Sequence, residues 1–294
     1  MRKRLLKIVL AVAVVAVVAY LGVSVAVAYN LTHPSRSPLK TTPAQYGLAY
    51  EEVNFRSEGD NVPLGGWLVN PGGKPTVVIM HGSGSNRANY INMEVAKALV
   101  AHGYSVFLFD FRGQGASGGD TGGLGEWETR DLGGALTYLK TRGVDQLGTI
   151  GYSMGAATEL LAAPNSPEIR AIVADSSFSD LLSMIDRERE SMGIPNIFNP
   201  GVLLAAKSMF DLDVAADDPK QAISRLGDRP VLLIHATGDS LIPASQAVEL
   251  QKAGAADPNL QLWLAPANGH VAAFADNKEE YLSRVIGFFD KYLQ

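Results

Sequence analysis

Four short runs in this chain are apolar without interruption: Val77-Val78-Ile79-Met80, Val106-Phe107-Leu108-Phe109, Ala171-Ile172-Val173-Ala174 and Val231-Leu232-Leu233-Ile234. A strand with one wet face alternates polar and apolar residues, so runs that do not alternate belong to strands covered on both faces. The intervening segments read as amphipathic helices. One spans about 92–102, with Val95 and Leu99 one turn apart and Gly103 as its stop. Another spans 127–141 and is closed by Gly143, and a third spans 244–253. The last, 278–293, repeats its apolar face at Leu282, Val285, Ile286, Phe289 and Leu293. Strands alternating with helices imply βαβ units, a mostly parallel sheet and helices on both faces. Adding Gly148 to Tyr152, Leu260 to Leu264 and a hairpin formed by Tyr50 to Phe55 with Leu64 to Val69 gives an α/β fold with eight strands.

Two segments stand outside that alternation. Residues 176–228 are too long for a plain crossover and contain helical patterns at Leu181-Leu182-Ser183-Met184-Ile185 and Val202-Leu203-Leu204-Ala205-Ala206, so they read as a helical cap over the strand ends. Met184, Met192, Ile194, Ile197, Phe198, Met209 and Phe210 either line an apolar pocket there or form the cap's own core. At the other end, Met1-Arg2-Lys3-Arg4 is followed by 22 residues, Ile8 to Tyr29, without a charge. That length spans a hydrocarbon core of about 30 Å at about 1.5 Å per residue, and the basic head predicts a cytoplasmic N-terminus with the rest outside. Residues 1–29 are therefore expected to be a single-pass membrane anchor; the alternative is a signal peptide cleaved after Ala26-Val27-Ala28 and a secreted product. Residues 30–46, with Pro34, Pro38 and Pro43, read as an extended tether in which His33 is solvated, and the globular domain as 47–294.

The chain has no cysteine, which removes thiolate catalysis, disulfides and cysteine-held metals. Its net charge is −5, and all charge before residue 30 is basic, so the domain is more acidic still and offers no basic patch for nucleic acid. No cofactor or metal is implied.

The chemistry concentrates at Gly151-Tyr152-Ser153-Met154-Gly155. A strand that turns sharply into a helix presents the central serine of such a pentapeptide as an exposed nucleophile. The pattern is cheap in a chain with 30 glycines, and Gly115-Ala116-Ser117-Gly118-Gly119 also satisfies it. Ser153 is selected because an apolar strand precedes it and a small-residue helix follows, whereas Ser117 runs on into more turn residues. A serine hydroxyl needs a base, and the base needs an orienting acid. His270 lies on a loop between the last strand and the last helix, where it can reach over the sheet. Asp239, after the strand containing His235, is the favoured acid, and Asp175 its rival; the order serine, acid, histidine favours Asp239. The oxyanion requires two donors, expected from the N–H of Met154 and of Ser83, with Gly82 as the alternative to Ser83.

Taken together, His81-Gly82-Ser83-Gly84, Asp110-Phe111-Arg112-Gly113-Gln114-Gly115-Ala116-Ser117, Gly151-Tyr152-Ser153-Met154-Gly155, Gly238-Asp239 with Ile242-Pro243, and Gly269-His270 resemble the α/β-hydrolases over about residues 50–293. Within them the chain is similar to the serine aminopeptidase-like and monoglyceride-lipase-like group. The resemblance implies an acyl-enzyme serine hydrolase acting on a small or lipid-like ester, with a peptidase, amidase or acyltransferase as variants on the same triad. A silent binding protein on the same scaffold is the alternative of another class. The resemblance also implies that Asp110 and Arg112 hold a loop beside the site. One departure is His235-Ala236, where the family usually has His-Gly.

Overall fold

The computed structural model describes residues 2–73, 75–213 and 218–293. Eight strands form one sheet: β1 (Tyr50–Arg56), β2 (Pro63–Val69), β3 (Thr76–Met80), β4 (Ser105–Phe109), β5 (Leu147–Tyr152), β6 (Ile169–Asp175), β7 (Val231–Ala236) and β8 (Leu260–Ala265). Their spatial order is β1-β2-β4-β3-β5-β6-β7-β8. β2 pairs antiparallel with both neighbours, and every pairing from β4 to β8 is parallel. The helices are α1 (Arg2–Thr32), α2 (Tyr90–Ala101), α3 (Glu128–Thr141), α4 (Met154–Ala162), α5 (Leu181–Ser191), α6 (Asn199–Phe210), α7 (Pro219–Ile223), α8 (Ser245–Ala253), α9 (Ala273–Asp276) and α10 (Lys278–Tyr292).

The uninterrupted apolar runs behave as their sequence requires. Successive side chains of β3 go to opposite faces, Val77 and Ile79 into the core beneath α2 and α10, Val78 and Met80 into the core beneath α3, α4 and α8. Gly148 of β5 is needed for that packing, because a Cβ would stand 2.6 Å from Leu293 and 2.7 Å from Phe289 of α10.

A third apolar cluster joins α1 to the cap. Val27, Ala28 and Leu31 of α1 are buried among Leu181 and Ile185 of α5, Val202, Ala205 and Ala206 of α6, and Phe178. α6 packs on α1 at Gly201, where any Cβ would collide with the side chains of Ser24 and Tyr20. α1 is, among the described residues, the one helix long and apolar enough to cross a membrane.

The expectation of an extended tether is corrected here. α1 continues through Thr32, and residues 33–42 lie along the domain. The Thr32 carbonyl accepts from Gly122 N–H, Ser37 Oγ donates to the Gly84 carbonyl at 2.7 Å, and Arg36 donates to the carbonyls of Gly115, Ser117 and Gly119 at 3.1, 2.5 and 2.7 Å. These carbonyls belong to a glycine-rich turn with no ladder partners, so a guanidinium with five donors satisfies what the turn leaves open. Arg36→Ala is expected to lower unfolding stability by about 1–2 kcal/mol, since charge-assisted hydrogen bonds carry about that much at a partly wet site. It should also speed trypsin cleavage after Lys40; a denaturant melt and a digestion time course measure the two effects.

Candidate active site

β5 ends at Tyr152 and α4 starts at Met154, so Ser153 alone makes the turn, with φ 54° and ψ −116°. A side chain in that region costs of order 1–3 kcal/mol, and the surroundings hold it there. Ser153 N–H donates to the Asp175 carbonyl at 2.8 Å, and its carbonyl accepts from Ala157 N–H at 3.1 Å. The flanking glycines are there for close approach. A Cβ on Gly155 would stand 2.6 Å from the Met80 carbonyl oxygen, and one on Gly151 would enter the Gly155 backbone. Below the turn, Glu159 is buried and accepts from Gly151 N–H at 3.0 Å; burial pushes its carboxyl well above the usual range, against the hydrogen bonds it accepts.

His270 reaches Ser153 from the loop after β8. Its Nε2 lies 2.8 Å from Ser153 Oγ, and its Nδ1 lies 2.8 Å from Asp239 Oδ2. Asp239 follows β7 in a turn where its Oδ1 accepts from the N–H groups of Leu241 and Ile242, each at 2.9 Å. Burial alone would raise this carboxyl, but interactions with His235 and His270 and the Ile242 N–H outweigh burial and hold it below the usual carboxylate range. An ionised Asp239 only accepts, so Nδ1 of His270 carries the proton and Nε2 is left to accept from the serine hydroxyl.

The rivals occupy other places. Asp175 is fully buried and accepts from Ser176 Oγ at 2.9 Å and from the Tyr281 hydroxyl at 3.0 Å. Ser117 is buried, donates to the Asp110 carbonyl at 2.5 Å and accepts from Gly65 N–H at 3.0 Å. His81 is buried between the Gly82 carbonyl, to which Nδ1 donates at 2.8 Å, and Phe111 N–H, which donates to Nε2; burial lowers its basicity. His235, buried in β7, donates from Nε2 to the Ile242 carbonyl at 2.7 Å and supports the Asp239 turn, with Ala236 completing the strand beside it. Asp110 ties the loops together, accepting from Arg87 and from Ala116 N–H, while Arg112 pairs with Asp131 and Asp60.

At the glycine turn after β3, Gly82 faces the serine, where a Cβ would stand 3.3 Å from Ser153 Cβ. The Gly84 N–H is taken by Gln114 Oε1 at 2.6 Å and the Ser85 N–H by the Gly82 carbonyl at 3.2 Å, which leaves the earlier residues of the turn to face the site. Across from them, Met154 is the first residue of α4, so its N–H has no acceptor within the helix.

Ser153 and His270 open into a cavity of about 650 Å³. Of the cap residues expected to line a pocket, only Met184 does. Ile194, Phe198 and Phe210 pack in the cluster around α1, while Ile197 and Met209 are exposed. Another part of the wall was not expected from the sequence: Asn30, Leu31, His33, Pro34 and Ser35 from the end of α1 and the irregular segment after it, together with Leu124 and Leu241. His33 is thus a pocket residue, stacked on Tyr29 at 3.7 Å with its Nδ1 at 2.9 Å from the Tyr29 carbonyl. Contacts made only when α1 docks leave no local signal in the sequence.

The profile of the serine aminopeptidase S33 family matches residues 73–192. The Bacillus subtilis protein YqkD is 30% identical over 76% of this chain and 74% of its own length. The zebrafish (Danio rerio) lysophosphatidylserine lipase ABHD12 is 29% identical over 68% of this chain and 50% of its own length. Among solved structures, the Pyrococcus furiosus esterase Pf2001 superposes with a TM-score of 0.76 at 28% identity, covering 90% of this chain and 100% of that one.

Asp175 gives this site a pH signature. Burial raises its carboxyl from the usual 3.8 to about 6, against the hydrogen bonds from Ser176 and Tyr281. A raised folded-state value means its contribution is fully present below about pH 4 and is lost as pH rises through about 6. Asp175→Asn carries no charge at any pH. Its stability relative to the unmodified protein should therefore improve by about 2–3 kcal/mol between pH 4 and pH 7.5, measured by urea melts at both.

Proposed function

This chain belongs to the α/β-hydrolase superfamily and is a hydrolase, and we propose that it cleaves carboxylic esters through an acyl-enzyme formed on Ser153, held outside the cytoplasmic membrane by α1. The observation that carries the proposal is the pair of 2.8 Å contacts that links Ser153 to His270 and His270 to Asp239.

In this mechanism His270 Nε2 takes the proton as Ser153 Oγ attacks the ester carbonyl, and Asp239 stabilises the imidazolium through Nδ1. The oxyanion is received by the N–H groups of Met154 and Ser83; the first lies at the positive end of α4, and each well-placed donor is worth about 3 kcal/mol in the transition state. The C–O bond of the tetrahedral adduct breaks, His270 gives its proton to the departing alcohol, and the acyl group stays on Ser153. Water then attacks with His270 again as base, releasing the acid and restoring the serine.

The pocket favours esters over the peptides that the S33 name suggests. Among the described residues no Lys, Arg, Asp or Glu lines it, so an aminopeptidase substrate's ammonium would meet no carboxylate there and a free carboxylate no fixed cation. A neutral acyl chain and a neutral alcohol fit such a wall, as does the esterase character of the P. furiosus relative. Arg2, Lys3, Arg4 and Lys7 favour a cytoplasmic N-terminus, which puts the catalytic domain on the other side.

Ser153→Ala is expected to abolish both labelling by a fluorophosphonate and hydrolysis of p-nitrophenyl butyrate. Asp239→Asn should fold normally and lose roughly 10³–10⁴-fold in kcat, because an amide no longer enforces the productive tautomer. Retained labelling in the serine variant rules the mechanism out.

A further inference from the structure

The proposed anchor is too short to act alone. From Arg2 to Ala19 every residue of α1 is exposed, and contact with the domain begins at Tyr20. The four cations of this free part lie at or before Lys7, so its uncharged portion is Ile8 to Ala19. Twelve residues rise about 18 Å, whereas a hydrocarbon core is about 30 Å thick. The missing 12 Å or so corresponds to about eight more helical residues, Tyr20 to Val27, and those are the residues to which the cap is fastened.

The fastening is intimate. The Tyr20 hydroxyl donates to the Ile197 carbonyl at 3.1 Å and accepts from Gly201 N–H at 3.0 Å, and its ring stacks on Phe198 at 5.0 Å. Ser24 meets Gly201 with no room for a side chain between them. Whatever is bound to α1 at that level shares its depth.

Residues 191–206, which include the turn Asn196–Phe198 and the first two-thirds of α6, contain no charged side chain. Ile197 is 69% exposed and Leu204 64%, with Met192 at 36%. Large apolar side chains this open, in an uncharged stretch beside a membrane helix, suit a lipid environment and not water. Backbone polar groups that enter lipid must be satisfied internally, and the Tyr20 hydroxyl does this for Ile197 and Gly201.

On the reading of α1 as an anchor, we infer that residues 191–206 are seated in the extracytoplasmic leaflet and that the catalytic pocket opens at headgroup level. The pocket wall from Asn30 to Ser35 follows directly on the span, so the ester reaches Ser153 from the leaflet as an amphiphile, its apolar chain never crossing bulk water.

The absence of cysteine allows single thiols to be placed cleanly. Full-length Ile197→Cys, Leu204→Cys and, as a control at an exposed position of α3, Lys140→Cys are labelled with an NBD maleimide and reconstituted in phosphatidylcholine vesicles. Nitroxide-labelled lipid is expected to quench the probe at 197 and 204 severalfold more than at 140. Equal quenching at all three positions overturns the inference, as does shielding at 197 and 204 without nitroxide quenching, the signature of a second protein copy covering the face. In a second arm, Leu204→Glu should slow hydrolysis of a vesicle-borne long-chain ester severalfold and leave soluble p-nitrophenyl acetate unchanged; equal effects on both, or none, contradict delivery from the leaflet. Loss of fluorophosphonate labelling in the unsubstituted protein would refute the hydrolase mechanism and leave the quenching result standing.

Discussion

The close approach of three backbones at one point is what the site depends on. β3 and β5 are neighbours in the sheet, and α4 leaves β5 directly above the end of β3, so Gly155 rests on the carbonyls of Met80 and His81 with no room for a Cβ. That contact fixes where α4 begins, and with it the direction of its free N–H groups. It also forces Ser153 into a left-handed turn, with the hydroxyl raised above the sheet. Gly82 comes from the β3 end of the same junction and lies against the serine. The proposed nucleophile, the helix N-terminus and the glycine turn are thus placed by sheet geometry. Only His270 and Asp239 arrive on loops.

Those two loops hold each other through Asp239. Its Oδ1 closes its own turn onto Leu241 and Ile242, while Oδ2 faces His270 and, at 3.6 Å, His235. The buried His235 braces the turn from below by binding the Ile242 carbonyl. A carboxylate kept ionised in this way sets one tautomer of His270 and so leaves the other ring nitrogen able to accept the serine proton.

Nearly all of the sheet was legible because a two-sided strand has to be apolar at every position, and the runs from Val77, Val106, Ala171 and Val231 leave no other placement. The proposed catalytic residues could be picked out for a related reason: Ser153, Asp239 and His270 each follow a strand, and strand order brings those ends together. The segment after α1 was not legible. Its prolines and polar residues read as a tether, and the contacts that dock it, Arg36 with three turn carbonyls and Ser37 with Gly84, join residues about 47 to 83 positions apart. Nor could the pocket's cap side be read, because an apolar residue in a short helix looks the same whether it faces a ligand, a neighbour helix or lipid. In the structure α1 takes up much of that apolar surface, which leaves Met184, among the described residues, as the cap's contribution to the cavity.

The N-terminal helix therefore belongs to the catalytic unit: it closes one wall of the cavity with Leu31 and extends the cap's core with Val27 and Ala28. The central claim is that one serine carries the acyl group. Acid-quenching the full-length enzyme in the first turnovers of a p-nitrophenyl ester, followed by tryptic peptide mass spectrometry, tests it directly. The account predicts the acyl mass on the peptide spanning residues 143–170, located at Ser153. Turnover with no covalent acyl adduct, or an adduct at Ser117 in the peptide spanning residues 113–130, would contradict it.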